Sequence, residues 1–194
     1  MKKLFKSALL VLAMLGTGLV TTSCNSETLQ QIIDTVIGNL FNTGQTYTYT
    51  GTATSQSLNG KYSTSEWRYI NENKNTQLTN MTVQLKSSTT GTLTLSPYTD
   101  GAVTVNQISI YNLTMTTAAD QSYTSMSIGE NSSIDGNIVY NGITYTAANL
   151  YIEKAQATSG SITLNMTLYF QGTEEDDYSK AINFTYTGTA ITTE

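Results

Sequence analysis

Between Ser161 and Phe170 apolar and polar residues alternate without a break. Ile162, Leu164, Met166, Leu168 and Phe170 fall on one side, and Ser161, Thr163, Asn165, Thr167 and Tyr169 on the other. A period of two sends successive side chains to opposite faces, so this segment is a strand with one buried and one wet face. Similar, less regular runs occupy 47–54, 62–70, 78–86, 90–96, 102–115, 123–128, 138–140, 143–155 and 181–191. Their spacing is that of an all-β fold. Tyr contributes 13 residues and Thr runs through the whole length, a composition that favours strands.

Turn signals separate the runs. Asn141-Gly142 lies between Val139-Tyr140 and Ile143-Thr144, and both residue types tolerate the positive φ that a two-residue hairpin demands. Asn59-Gly60, Pro97, Asp100-Gly101 and Asp135-Gly136 mark further turns. Within 102–115 the apolar parity shifts from Val103 and Val105 to Ile108 and Ile110, then to Leu113 and Met115. A bulge or bend near Asn106 and near Asn112 would absorb those shifts.

Thr48-Tyr49-Thr50-Gly51-Thr52-Ala53 recurs as Thr185-Tyr186-Thr187-Gly188-Thr189-Ala190, in the first and last predicted strands. If the sheet closes on itself these strands are neighbours, and the repeat is a shared solution at the seam. In so biased a composition, coincidence is the alternative. Closure would also remove long edges that carry little charge to protect them. The expected fold is therefore all-β, an antiparallel β-barrel, with a β-sandwich as the alternative.

The amino terminus reads as an address. Lys2, Lys3 and Lys6 make the start positive, and Leu4 to Val20 is a mainly apolar stretch broken by Gly16 and Gly18, which together are the pattern of a signal peptide. It ends Val20-Thr21-Thr22-Ser23-Cys24, which resembles a bacterial lipobox, and Cys24 is the only cysteine. The expectation is a lipidated Cys24, with several acyl chains giving stable membrane anchorage. Leu29, Ile32, Ile33, Val36 and Leu40 then follow helical spacing over 27–40, too short to cross a bilayer. The organisation expected is a leader at 1–23, a tether with a short amphipathic helix at 24–45, and a barrel domain at 46–194.

With these features in place, the chain resembles the calycin-like β-barrel lipoproteins of Bacteroidetes. The resemblance rests on the lipobox, the short linker helix, Tyr49-Thr50-Gly51-Thr52, Gly91-Thr92-Leu93-Thr94-Leu95, Gly160-Ser161-Ile162-Thr163-Leu164 and Tyr186-Thr187-Gly188-Thr189. It implies a small barrel of the lipocalin kind, lipid-anchored at the outer membrane, with a cavity for an apolar ligand. Whether it faces the periplasm or the cell surface is open, because Cys24-Asn25-Ser26-Glu27 carries a single acid.

The inventory excludes much catalytic chemistry. There is no His, so the commonest general base and metal ligand is missing, and one Cys makes no disulfide or thiolate zinc site. No Ser-x-x-Lys or Gly-x-Ser-x-Gly motif activates a nucleophile. Glu66, Glu72, Asp100, Asp120, Glu130, Asp135 and Glu153 are single carboxylates that nothing pairs for glycosidase-type work. Glu174-Glu175-Asp176-Asp177 is dense but lacks calcium-loop spacing, and reads as a solvated loop. Five Asn-x-Ser/Thr sequons, at Asn80, Asn112, Asn131, Asn165 and Asn183, reflect composition, and Asp34-Thr35-Val36 matches a short O-glycosylation pattern. No enzyme, cofactor or metal is expected. The formal charge of −5 opposes nucleic acid as a partner.

Two binding readings remain. In the first, Ile162, Leu164, Met166, Leu168 and Phe170 line a barrel cavity that holds an apolar small molecule or lipid. In the second, Trp67 and Tyr69, on one face of an early strand, form an outward platform for glycan capture or adhesion. A structural envelope component without a small-molecule ligand is a third.

Overall fold

The computed structural model describes residues 44–60, 66–71, 75–172 and 179–191. Among them are thirteen strands and one continuous hydrogen-bonded sheet. The strands are β1 (Thr46–Gly60), β2 (Arg68–Tyr69), β3 (Thr76–Ser87), β4 (Gly91–Leu95), β5 (Tyr98–Asp100), β6 (Val103–Val105) and β7 (Ile108–Thr117). They continue with β8 (Thr124–Ser127), β9 (Ser133–Asp135), β10 (Asn137–Tyr140), β11 (Ile143–Ala157), β12 (Ser161–Gln171) and β13 (Ser179–Ala190).

Eight of these close a barrel. In chain order β1, β3, β4, β7, β8, β11, β12 and β13 each pair antiparallel with the next, and β13 pairs back onto β1. This is the up-and-down meander of lipocalin-type barrels, and not a sandwich. The repeated hexapeptides lie at the seam and pair with each other: Gly51 faces Gly188, flanked by Thr50 against Thr189 and Thr52 against Thr187. Both glycines point inward. A Cβ at Gly51 would fall 2.0 Å from the Thr187 carbonyl oxygen, so only hydrogen fits. The Tyr186 ring covers Gly188, where an added Cβ would lie 2.4 Å from the Tyr186 hydroxyl.

The parity breaks within 102–115 are resolved as expected. The chain leaves the sheet at Asn106 and Gln107, and Asn112 adopts φ +56° where β7 slips one register against Gly91 and Leu93. Asn141 and Gly142, at φ +51° and +78°, form the hairpin between β10 and β11. The predicted strand at 62–70 is reduced to Arg68–Tyr69 among the described residues. Strands β5 and β9, each three residues, fall where turn residues alone were legible. The leader, Cys24, the 27–40 helix, Asp34-Thr35-Val36, Glu72 and the 174–177 acidic run lie outside the described residues.

Along β11 the outer edge forks: Ala157 and Gln156 pair with β8, while Thr146 to Ile143 pair with β10. From β10 the sheet continues through β6 to β5, and β5 reaches the inner side of β1 and β13. The resulting β10–β6–β5 sheet crosses the barrel and stoppers one end from within. The core fills the remainder, with Val83, Leu85, Leu93, Leu95, Val105, Ile108, Ile110, Leu113, Ile138 and Ile182 fully buried. Each such side chain contributes roughly 1.5–3 kcal/mol of burial free energy.

Candidate functional site

The five residues expected to line a cavity, Ile162, Leu164, Met166, Leu168 and Phe170, are brought to one inward face of β12. Each is at most 1% exposed. A void able to hold water would register as accessible surface on its walls. These side chains therefore meet protein atoms instead, including Phe184 and Tyr186 of the same core. Phe184 and Tyr186 stack at 6.3 Å, and Tyr98 of the stopper packs on Phe184 at 5.9 Å.

The stoppered end is polar inside. Asp100 is fully buried, and its carboxylate accepts hydrogen bonds from Ser55 Oγ at 2.9 Å, Asn71 Nδ2 at 3.2 Å, Ser57 Oγ and Thr76 Oγ1. Asn71 Nδ2 also donates to the Asp100 carbonyl at 2.8 Å. Buried Lys180 donates to Asn59 Oδ1 at 2.7 Å and sits 4.3 Å from the Tyr145 ring and 5.9 Å from that of Tyr140. Such contacts offset the cost of removing charge from water. Tyr49 donates to the Thr158 carbonyl at 2.7 Å and Tyr186 to that of Met81 at 3.1 Å, tying both seam tyrosines to neighbouring backbone. Burial raises the phenol pKa of Tyr49, further lifted by Tyr47 and Tyr186, and pushes Tyr186 up to about 12. Burial likewise raises Tyr98, partly offset by its hydrogen bond with Ser55.

The other carboxylates do not assemble. Exposed Asp120 accepts from Ser122 Oγ at 2.6 Å, which lowers its pKa, and Asp135 caps the Gly136 N–H at 2.8 Å. Glu153 accepts from Asn165 Nδ2 at 2.5 Å, and Glu66 and Glu130 are exposed. Among the described residues no cluster of three or more acidic, His or Cys side chains could hold a metal, and no helix is long and apolar enough to cross a membrane.

On the outside the picture differs. Gly60 has no side chain, and Trp67 packs over it, with a hypothetical Gly60 Cβ 2.8 Å from the indole. The same ring meets Tyr169 at a centroid distance of 6.0 Å. Tyr69 pairs with Leu58, Leu58 with Ala181, and Ala181 with Tyr169, so these four form one cross-strand row on the outer face. Tyr151, opposite Thr167, stands one diagonal step from Tyr169. Tyr69 is 44% and Tyr151 59% exposed, whereas Ala181 is covered. Trp67 and Tyr69 thus share an outer face, as their spacing indicates. Tyr151 and Tyr169 complete an aromatic surface that the sequence alone could not assemble, because they come from two distant strands.

Next to this surface the outward positions of β12, β13 and β1 are almost all hydroxyls and amides. A hollow of about 360 Å³ opens there, bordered by Thr52, Thr163, Asn165, Thr185 and Thr187. Asp100 and Lys180 were the other residues hard to foresee. Their signal was weak: Ser55 and Ser57 occupy inward positions of β1, where an all-apolar core would leave their hydroxyls unmatched. Neither a known protein family, nor a curated protein, nor a solved structure matches the chain.

Proposed function

We propose that this is a lipid-anchored, non-enzymatic envelope domain that captures glycans on the outside of its barrel. The observation that carries the reading is the outer aromatic surface of Trp67, Tyr69, Tyr151 and Tyr169, set beside polar side chains. Aromatic faces stack on the C–H side of sugar rings while neighbouring hydroxyls and amides bond their polar edges. The close-packed interior weighs against the apolar-ligand reading, since a guest there would have to displace core side chains. The up-and-down meander supports the resemblance to calycin-like lipoproteins at the level of fold. Anchorage at Cys24 and outer-membrane residence rest on the leader and lipobox.

Trp67 is the only tryptophan, so its fluorescence reports directly on the surface. Titrating the full chain with a panel of glycans is expected to change that emission for at least one member. Trp67→Ala should weaken the same interaction about tenfold or more by calorimetry, equivalent to about 1.4 kcal/mol. A stoichiometric lipid in an organic extract of natively purified protein, with no glycan response, would restore the cavity reading. Cys24→Ser should move the protein from the membrane to the soluble fraction, and protease shaving of intact cells would identify the face.

A further inference from the structure

We propose that the binding surface continues from the aromatic patch along the outer face of β12, β13 and β1, as a groove for a neutral, extended glycan chain. This inference rests on the glycan-capture reading above and adds the class of ligand and the direction in which it lies.

The register builds the groove. Across the three strands, Ser161, Thr189 and Thr50 form one row, Thr163, Thr187 and Thr52 the next, and Asn165, Thr185 and Thr54 a third. Thr167, Asn183 and Gln56 make the fourth, and Tyr169, Ala181 and Leu58 the fifth. Rows two residues apart along a strand are spaced by about 6.7 Å, on the order of one sugar ring. From Thr163 to Tyr169 the face therefore spans roughly 20 Å. Rows one to four carry no aliphatic side chain other than the Thr methyls, and the aromatics begin where the hydroxyls end.

Hydroxyls and amides here can both donate and accept, which suits the mixed hydrogen-bonding character of sugar hydroxyls. Several are already oriented by one another. Thr167 Oγ1 donates to Asn183 Oδ1 at 3.0 Å, Asn183 Nδ2 approaches Gln56 Oε1 at 3.5 Å, and Gln56 Nε2 bonds Asn75. Gln77 Nε2 donates to Thr54 Oγ1 at 3.0 Å. Side chains held in place before binding lose less freedom when a ligand arrives. The 360 Å³ hollow, shallow and open to solvent, lies over rows two and three, on the line an extended chain would follow.

Charge selects the chemical class. Among the described residues at its border, Lys154 lies opposite Asn165, Glu153 is bonded to Asn165, and Arg68 lies opposite Asn59 at the aromatic end. The outward residues of rows one to four are themselves uncharged, and the chain as a whole carries −5. A polyanionic glycan meets repulsion from that net charge, and rows one to four supply no cation to offset it. A neutral chain does not.

The test uses the full chain in a sugar-free zwitterionic detergent, with calorimetry on β-1,4-linked glucose, mannose and xylose oligomers of one to six rings. Galacturonic acid oligomers serve as the anionic comparison. For the series that binds, affinity is expected to rise at least tenfold between two and about four rings, one per row, and then level. The double variant Thr187→Val with Asn165→Ala should abolish that rise and unfold at the wild-type temperature. Binding that depends on Trp67 but not on length overturns the groove while glycan capture stands. A length effect that survives the double variant, or a preference for the anionic oligomers, also overturns it. No response to any oligomer, with Trp67 emission unmoved, removes both readings together.

Discussion

From Tyr49 to Gly60, β1 holds one unbroken register with β13, and β12 does the same with β13 from Ser161 to Phe170. No strand of the β10–β6–β5 stopper exceeds four residues. The wall is stabilised by repetition: inward side chains every second residue, outward hydroxyls between them, and a backbone ladder on both edges. The stopper has too few pairs for that and is fastened by particular side chains, above all the buried Asp100 carboxylate and the Tyr98 ring. Two antiparallel regions of one sheet therefore have different weak points. In the wall it is space between backbones, and in the stopper it is hydrogen bonding to one anion.

The largest effect is expected at the seam. Gly51→Ala places a methyl 2.0 Å from a backbone carbonyl that cannot move without parting β1 from β13. We expect a loss of about 4 kcal/mol or more, read as failure to fold or as a strongly lowered denaturation midpoint. If Gly51→Ala folds with nearly wild-type stability, the wall is looser than its register indicates. Asp100→Ala comes next, at about 3–5 kcal/mol, since it strands the donors of Ser55, Ser57, Thr76 and Asn71 around a void. Hydrogen exchange in that variant separates the two regions: amides of β5, β6 and β10 should lose protection while those paired between β12 and β13 keep theirs. Equal loss throughout would make wall and stopper one cooperative unit.

How much was legible follows the same division. The alternation from Ile162 to Phe170, the Asn141-Gly142 hairpin and the repeated hexapeptide are local patterns, and each specifies a strand, a turn or a seam by itself. The stopper is not local. Asp100 looks like a turn residue before Gly101, and only the folded chain brings it to Ser55 and Ser57, more than forty positions away. The aromatic surface divides likewise. Trp67 and Tyr69 are two residues apart and were visible together, while Tyr169 joins them through pairing that spans β2, β1, β13 and β12. Asn80 and Asn112, which carry sequons, are both at positive φ, so their residue type answers a backbone requirement.

Alkaline titration probes both regions at once. Tyr49 and Tyr186 serve the wall and Tyr98 the stopper, and burial raises the pKa of all three above the ordinary 10.0. The folded state thus binds these protons more tightly than the unfolded chain. Their contribution to stability is complete below pH 10 and declines as pH climbs through the folded values, about 12 for Tyr186. Denaturation midpoints should accordingly be flat from neutrality to about pH 10 and fall beyond it. Tyr98→Phe removes the stopper's share and should make that fall shallower. An unchanged slope would assign the alkaline loss to the wall alone.

The smallest stability effect is expected on the outer face, and its smallness is what gives it meaning. Trp67 leans on Gly60 and Tyr169 from outside the barrel, and neither the seam register nor the Asp100 network passes through it. Trp67→Ala should cost about 1 kcal/mol or less in urea unfolding, because the ring covers surface and does not fill core. Against an expected tenfold loss of glycan affinity, that separates a residue kept for binding from one kept for folding. A cost above about 3 kcal/mol, the range of core aromatic truncation, would reverse the assignment. Trp67 would then be a third fastening of the fold, clamping β2 across the end of β1, and the outward aromatic surface would reduce to Tyr69, Tyr151 and Tyr169.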